Sequence, residues 1–390
     1  MGQFNVLHDR TNSRSIKWDM REEVFNQDDV LPMWVADMDF KAPQAVNDAL
    51  IERAKHGIYG YTAIDSDVKQ AIIQWLERRH QWSIDKEWLA FSPGVVTSLH
   101  IAIQTFTQPN DKILIQTPVY TPFFNVIEQH ERVTVENPLV YKNNHYTINF
   151  ANFEEKLKQG VKAFVFCSPH NPVGRVWTKE ELEEIGRLCI KYDVLILSDD
   201  IHGDLIFPGH KHIPIASISD EIADQTITMM SPTKTFNIAG LQASYIITNN
   251  DMRRQAFEEF AKKQGFLSLN TMGNLALEAA YNHGEAWLDE LMDVLDDHKK
   301  YVIDTFSEQA PELTVIDAEG TYLLWIDCSQ LKMSADEIHN FMIKKAKVGL
   351  NPGIDYGEAG AQFMRMNIAC PRATLEQGVK QIVQAVQKRR

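Results

Sequence analysis

Ile227-Thr228-Met229-Met230-Ser231-Pro232-Thr233-Lys234-Thr235-Phe236-Asn237-Ile238-Ala239-Gly240 is the stretch from which the fold is read. An apolar, β-prone run stops abruptly at a small hydroxyl residue, a proline and a lone lysine, and a loop then rises to a glycine. A strand followed by a loop is where α/β enzymes place working side chains, because the rigid sheet holds what the loop presents. Lys234 has two readings at such a place. A desolvated lysine amine loses its proton readily and can form a Schiff base with a carbonyl. A lysine taken at random is a solvated surface charge.

The neighbouring segments repeat the pattern. Val194 to Leu197 is a continuous apolar run ending at Ser198-Asp199-Asp200, and Ala163 to Cys167 ends at Ser168-Pro169-His170-Asn171-Pro172-Val173-Gly174. Lys112 to Gln116 ends at Thr117-Pro118-Val119-Tyr120, and Leu89-Ala90-Phe91 leads into Ser92-Pro93-Gly94-Val95-Val96. Helical patterns separate these runs. One opens on the capping box Thr178-Lys179-Glu180-Glu181 and continues to about Tyr192. Continuous apolar strands alternating with helices predict a mostly parallel sheet buried on both faces. Before them, the spacing predicts helices from Pro43 to Gly57 and from Asp67 to His80. After them, Ala243 to Thr248 reads as a strand and Met252 to Ser307 as largely helical. Paired strands Leu313–Ile316 and Tyr322–Ile326, a helix from Ser334 to Lys347, a strand near Phe363 to Ile368 and a closing helix then predict a smaller α+β domain.

The 390 residues allow two or three domains, and 44% hydrophobic with 24% charged residues is ordinary globular composition. A formal charge of −14 argues against nucleic-acid or anionic-membrane binding, since both need a basic surface. The 4 cysteines are scattered, which fits neither a disulfide framework nor a metal site and suits a reducing, cytoplasmic setting. No signal segment and no membrane-length apolar run is found. Walker A, G-x-S-x-G, H-E-x-x-H and G-x-G-x-x-G patterns are missing. Ser231-Pro232-Thr233-Lys234 matches S-x-x-K, but without the accompanying Ser-Asp-Asn and Lys-Thr-Gly of that enzyme class.

Gly94, Tyr120, Asn171, Asp199 and Lys234 all follow predicted strand ends, which in an open α/β sheet share one rim where ligands bind. Gly94-Val95-Val96 opens a helix whose N–H groups suit a phosphate, or simply turns the chain. Ser231 could add a hydroxyl donor. Asp199, ending a buried strand, needs a cationic or donor partner; a protonated pyridine is one, an N-cap or salt bridge another. Tyr120 suits stacking on a planar ring or a place in the core. Asn171, before proline, suits a turn.

Asn171-Pro172-Val173-Gly174, Ser198-Asp199-Asp200-Ile201-His202 and Ser231-Pro232-Thr233-Lys234, in that order, resemble the fold-type I pyridoxal-phosphate (PLP) enzymes of the class I/II aminotransferase superfamily. The blocks Met33-Trp34-Val35-Ala36-Asp37-Met38-Asp39-Phe40, His56-Gly57-Ile58-Tyr59-Gly60-Tyr61 and Lys234 to Gln242 are similar to the MalY/PatB-type C–S lyases. The resemblance spans nearly the whole chain. It implies a seven-stranded, mostly parallel sheet flanked by helices in a large PLP-binding domain over 45–285. A small α+β domain is then built from 1–44 together with 286–390.

For the site, the resemblance implies that Lys234 holds pyridoxal 5'-phosphate covalently and later moves the Cα proton. Asp199 pairs with the pyridinium nitrogen, Asn171 with the phenolic oxygen, and Tyr120 stacks on the ring. His202 stands near the phenolic oxygen, where aminotransferases usually carry Tyr. Gly94, Val95 and Val96 (through backbone N–H groups), Ser231, and Tyr61 of a neighbouring subunit hold the phosphate. Arg365 clamps the α-carboxylate of an amino-acid substrate, with Trp34, Val35 and Ala36 beside it. Gln242 stands where aminotransferases usually carry Arg or Lys, and Val95-Val96 where hydroxyl residues are common. The implied protein is a homodimeric C–S β-lyase acting on L-cystathionine and related cysteine S-conjugates, with no metal. An aminotransferase on the same scaffold, or a PLP-binding regulatory protein, is the alternative.

Overall fold

The computed structural model describes residues 2–389. Its centre is a seven-stranded sheet made of β1 (Leu89–Ser92), β2 (Lys112–Ile115), β3 (Val133–Glu136), β4 (Val161–Cys167), β5 (Leu195–Asp199), β6 (Thr226–Met230) and β7 (Ser244–Ile247). The spatial order is β1-β7-β6-β5-β4-β2-β3. Strands β3, β2, β4, β5 and β6 run parallel. Only β7 opposes its neighbours, lying antiparallel to β6 and β1. The mostly parallel, seven-stranded expectation holds.

The parallel strands are apolar on both faces because helices cover both. On one side Phe164, Phe166 and Ile196 meet Leu182, Ile185 and Leu188. On the other, Val165, Leu197 and Met229 meet Leu99 and Ile103. Two long helices start and stop where the sequence signals them. α1 (Gln44–His56) ends at Gly57, whose positive φ accepts the left-handed cap, and α2 (Ser66–His80) is capped by Asp65. α3 (Val95–Phe106) follows β1, and α4 (Lys179–Lys191) carries the predicted Thr178/Glu181 capping box. Edge strand β3 was not anticipated: it buries only Val135 and so lacks the continuous apolar run of its neighbours.

The largely helical region divides into α5 (Asp251–Lys263), α6 (Thr271–His283) and α7 (Glu285–Gln309). Beyond it lies an antiparallel sheet of β8 (Thr314–Val315), β9 (Leu323–Asp327), β10 (Asn351–Pro352) and β11 (Phe363–Asn367), ordered β8-β9-β11-β10, before the closing α8 (Arg372–Gln387). The helix expected from Ser334 to Lys347 is α-helical only over Ala335–Phe341, after which Met342–Ala346 widens into a π-turn. Lys234 also departs from expectation. It lies not on an open loop but on a single helical turn, Pro232–Thr235, whose start is fixed by the Ser231 hydroxyl accepting from the Thr233 N–H.

The N-terminal segment is fastened to this frame by charge as well as by strand pairing. Leu31–Pro32 pairs parallel with Val348–Gly349. Asp39 is buried and accepts from Lys17 Nζ at 2.7 Å, Arg10 Nη1 at 2.7 Å and Trp18 Nε1 at 2.8 Å. Burial alone would raise the Asp39 carboxyl; Lys17, itself 1% exposed, and the two other donors hold it below the usual range. Removing one member of a buried pair strands the other charge. Asp39→Ala is therefore expected to cost about 3–5 kcal/mol, read as a lowered urea midpoint at pH 7 with an unchanged m-value.

Candidate active site

The C-terminal ends of β1, β2, β4, β5 and β6 open on one rim, as a parallel arrangement requires. A cavity of about 200 Å³ lies there. Gly94, Val95, Val96, Tyr120, Asn171, Asp199, His202 and Lys234 all line it, together with Ala36, Cys167, Ile201 and Thr233. Apart from Ala36, residues far apart in sequence are thus gathered because each lies at or after the end of a strand of one sheet.

Two ionisable groups dominate the cavity. Asp199 is buried, and its Oδ1 accepts from the Ile201 N–H at 3.1 Å. Burial pushes its carboxyl up to about 7; the Ile201 N–H pulls the other way, and Asp200 adds to the rise. Lys234 Nζ donates to the Ala36 carbonyl at 2.6 Å. Desolvation, followed by the Arg365 charge, brings its amine down to about 8, against the opposing pull of Asp37 and Asp199. A carboxyl raised and an amine lowered on one cavity wall is the mark of a working site. His202 is buried, with Nδ1 unpartnered, and burial followed by Lys234 and Arg365 pushes its imidazole down to about 3. It is neutral at physiological pH. Tyr120 is raised by burial and then by Asp199, so its phenol keeps its proton.

One end of the cavity is built for an anion. α3 begins at Val95 with Gly94 as N-cap, and no side chain caps it, so its first N–H groups are left for a ligand. The Ser231 hydroxyl is committed elsewhere: it donates to the Ala243 carbonyl at 2.7 Å and lies 2.6 Å from Thr233 Oγ1. Ser231 does not line the cavity, whereas Thr233 does. Gln242 is exposed and outside the lining, so no side-chain cation supplements the helix start there. Tyr61 lies fully on the surface.

Ala36 brings to the cavity the segment Met33–Phe40, whose carbonyls are nearly all claimed. Arg365 Nη2 donates to the Trp34 carbonyl at 3.0 Å, and Asn367 Nδ2 to those of Val35 and Asp37, each at 2.6 Å. The Tyr322 hydroxyl donates to Ala36 at 2.9 Å, and Asn237 Nδ2 donates to Met38 at 2.9 Å and Phe40 at 2.7 Å. Trp34 itself turns from the cavity, its indole N–H donating to the Lys17 carbonyl and its ring resting edge-on to Phe25. What Trp34 and Val35 contribute is backbone. Arg365 is held by Asn171 Oδ1 at 3.1 Å and Asn351 Oδ1 at 2.7 Å, with its guanidinium 5.1 Å above Tyr356, and its buried Nε is unpartnered.

This donor set fits pyridoxal phosphate. An amine meets an aldehyde, an under-partnered buried carboxylate meets a pyridinium, an uncapped helix start meets a phosphate, and Tyr120 offers a ring face. The sequence did not point to Thr233, Asn237, Tyr322, Asn351 or Asn367. Asn237 and Asn367 lie beside Lys234 and Arg365, but an asparagine that binds backbone leaves no pattern of its own.

Residues 28–382 match the family Aminotransferase class I and II. The chain is 44% identical over 384 residues to Cystathionine beta-lyase PatB of Bacillus subtilis, covering 98% of this chain and 99% of that protein. It is 32% identical over 389 residues to Protein MalY of Escherichia coli, covering 99% of each. The crystal structure of cystalysin from Treponema denticola, which contains a pyridoxal 5'-phosphate cofactor, matches with a TM-score of 0.96 at 37% identity over 99% of both chains. The chain belongs to the class I and II aminotransferase family.

The raised Asp199 carboxyl has a consequence for the cofactor-free protein. Between pH 4 and its folded value near 7, the folded chain keeps a proton that the unfolded chain has lost, so this group's contribution to stability falls as pH rises. Asp199→Asn removes that dependence. Relative to cofactor-free wild type, the variant is expected to gain stability on going from pH 5 to pH 7.5, in thermal or urea unfolding. The gain is at most roughly 1.4 kcal/mol for each pH unit by which burial had raised the carboxyl.

Proposed function

We propose that the chain is a pyridoxal-phosphate-dependent C–S β-lyase that converts L-cystathionine, or a related cysteine S-conjugate, and water into a thiol, pyruvate and ammonia. The observation that carries this reading is that the lowered Lys234 amine and the raised Asp199 carboxyl line one cavity. The C–S lyase character, as opposed to transamination, is supported by the relative Cystathionine beta-lyase PatB and by neutral His202 where aminotransferases usually carry Tyr.

When bound, the cofactor supplies an electron sink for the carbanion at the substrate Cα. The protein does the rest. Asp199 provides the anionic partner that keeps the pyridine nitrogen protonated. Asn171 and Tyr120 orient the ring, and the first N–H groups of α3, with Thr233, receive the phosphate. Arg365, immobilised by Asn171, Asn351 and the Trp34 carbonyl, offers its fork to the substrate α-carboxylate. Lys234, once free, takes the Cα proton. An amine near pKa 8 is neutral often enough at pH 7–8 to act as base, and the Ala36 carbonyl is placed to accept from the ammonium that results. The thiolate then leaves from Cβ.

We also read the protein as a cytoplasmic homodimer. All four cysteines are free and buried, which suits a reducing compartment. Ile58, Tyr59, Tyr61 and Leu267 are exposed, and Ser268 Oγ donates to the Thr62 carbonyl, which joins the two segments into one apolar surface. A second copy covering it would carry Tyr61 to the partner's phosphate end. Tyr61→Phe is then expected to weaken cofactor retention about tenfold while sedimentation still reports twice the 44.7 kDa chain mass.

The purified protein is tested with cystathionine and no keto acid, following pyruvate and free thiol. Turnover is expected; a requirement for a keto acid would make it a transaminase, and a yellow protein with no turnover a binding protein. Lys234→Ala is expected to lower turnover about 10³-fold or more and to yield no borohydride-reducible adduct. Arg365→Ala is expected to raise KM about 30-fold or more.

A further inference from the structure

Behind the catalytic lysine lies a buried polar cluster that the reaction above does not use. Asp204, 7% exposed, accepts from Trp75 Nε1 at 3.0 Å, His80 Nε2 at 2.8 Å and, through its other oxygen, Thr235 Oγ1 at 2.8 Å. The carboxylate has no lysine or arginine on it, and these hydrogen bonds, His80's foremost, hold it below the usual range against its burial. Tyr245 and Tyr281, joined hydroxyl to hydroxyl at 2.8 Å, flank it. Next to it, Asp200 takes His212 Nε2 at 2.9 Å and the Ser198 hydroxyl, and the His80 and His212 rings meet edge to face at 5.4 Å.

The placement of this cluster is informative. Thr235 directly follows Lys234, and Asp200 directly follows Asp199. Each key residue of the cavity is thus one peptide away from a residue held by a buried histidine–carboxylate pair on the far side of the sheet rim. The turn Pro232–Thr235 is a single helical turn, closed by Phe236 N–H to the Pro232 carbonyl at 2.9 Å and Ile238 N–H to the Thr233 carbonyl at 3.0 Å, and too short to fix its own orientation on the sheet. At its start it is held by Ser231, bonded to Thr233 and Ala243; at its end by Thr235, bonded to Asp204. The side chain of Lys234 leaves between the two anchors.

The geometry points to Asp204, hydrogen-bonded to His80, as a positioning residue for Lys234, acting through the Thr235 hydroxyl. This rests on Lys234 holding the cofactor. Without the Thr235–Asp204 bond, the turn would rotate about its Ser231 anchor, moving the amine relative to the Ala36 carbonyl and to the substrate proton. A displacement of this kind slows proton transfer more than it weakens substrate binding.

The test uses the holoenzyme and the pH titration of its bound-cofactor absorbance. That titration reports the environment of the lysine–cofactor link, which a purely structural role would leave alone. Thr235→Val keeps the shape and removes the donor; Thr235→Ser keeps the donor and removes a methyl. Thr235→Val is expected to move the absorbance midpoint by about half a pH unit or more and to lower kcat about tenfold with KM changed less, while Thr235→Ser stays near wild type in both. Asp204→Asn approaches the same bond from the other side and is expected to move the midpoint in the same direction, so either variant decides if the other does not fold. Midpoints like wild type in the folded variants, or equal losses in Thr235→Val and Thr235→Ser, would overturn the inference. A wild-type protein with no cofactor absorbance would instead overturn the lysine reading beneath it.

Discussion

Everything at the cavity depends on a carboxylate buried in its wall with few partners. Asp199 ends a strand buried on both faces, accepts one backbone N–H, and has Lys234 rather than an ion-paired arginine as its nearest cationic influence. Burying a charge so poorly compensated is unfavourable unless a partner arrives. The fold accepts this cost at the rim of its central sheet. The same burial that raises Asp199 lowers Lys234, so one cavity shifts an acid and a base toward each other.

The second constraint is the segment Met33–Phe40. An irregular stretch beside a cavity leaves backbone polar groups that must be satisfied. Here they are satisfied by Arg365, Asn367, Tyr322, Asn237 and the cavity-lining Lys234. The segment is in turn clamped from outside by Asp39 and its three donors. The charged cluster near the N-terminus thus reaches the site through the backbone of this segment, although none of its side chains lines the catalytic cavity.

How much of this could be read from the sequence follows the same physics. Strands apolar on both faces, such as Ala163–Cys167 and Leu195–Asp199, announce a covered parallel sheet, and the residues that end them announce the rim. Lys234, Asp199, Asn171, Tyr120 and Gly94 were legible for that reason. Edge strand Val133–Glu136 was not, because an edge that buries only Val135 leaves no apolar run. Nor was the lysine turn, because a single helical turn has no periodicity to detect. The Ser231 hydroxyl was expected to face a phosphate but is spent on holding that turn to Ala243, and Thr233 lines the cavity in its place. Tyr322 and Asn367 act on carbonyls, and a carbonyl carries no sequence signature.

The bond between Arg365 and Asn171 has an effect beyond strength. A guanidinium only donates, so the amide oxygen of Asn171 must face it, and a side chain that could otherwise point either way is left with one orientation. The Asn171 amino group is then the end turned toward the cavity, ready to donate. Arg365, on β11 of the antiparallel sheet, thereby decides which end of Asn171, in the turn after β4, faces the cavity. One hydrogen bond from the smaller sheet thus sets the polarity of this part of the cavity wall before any ligand arrives.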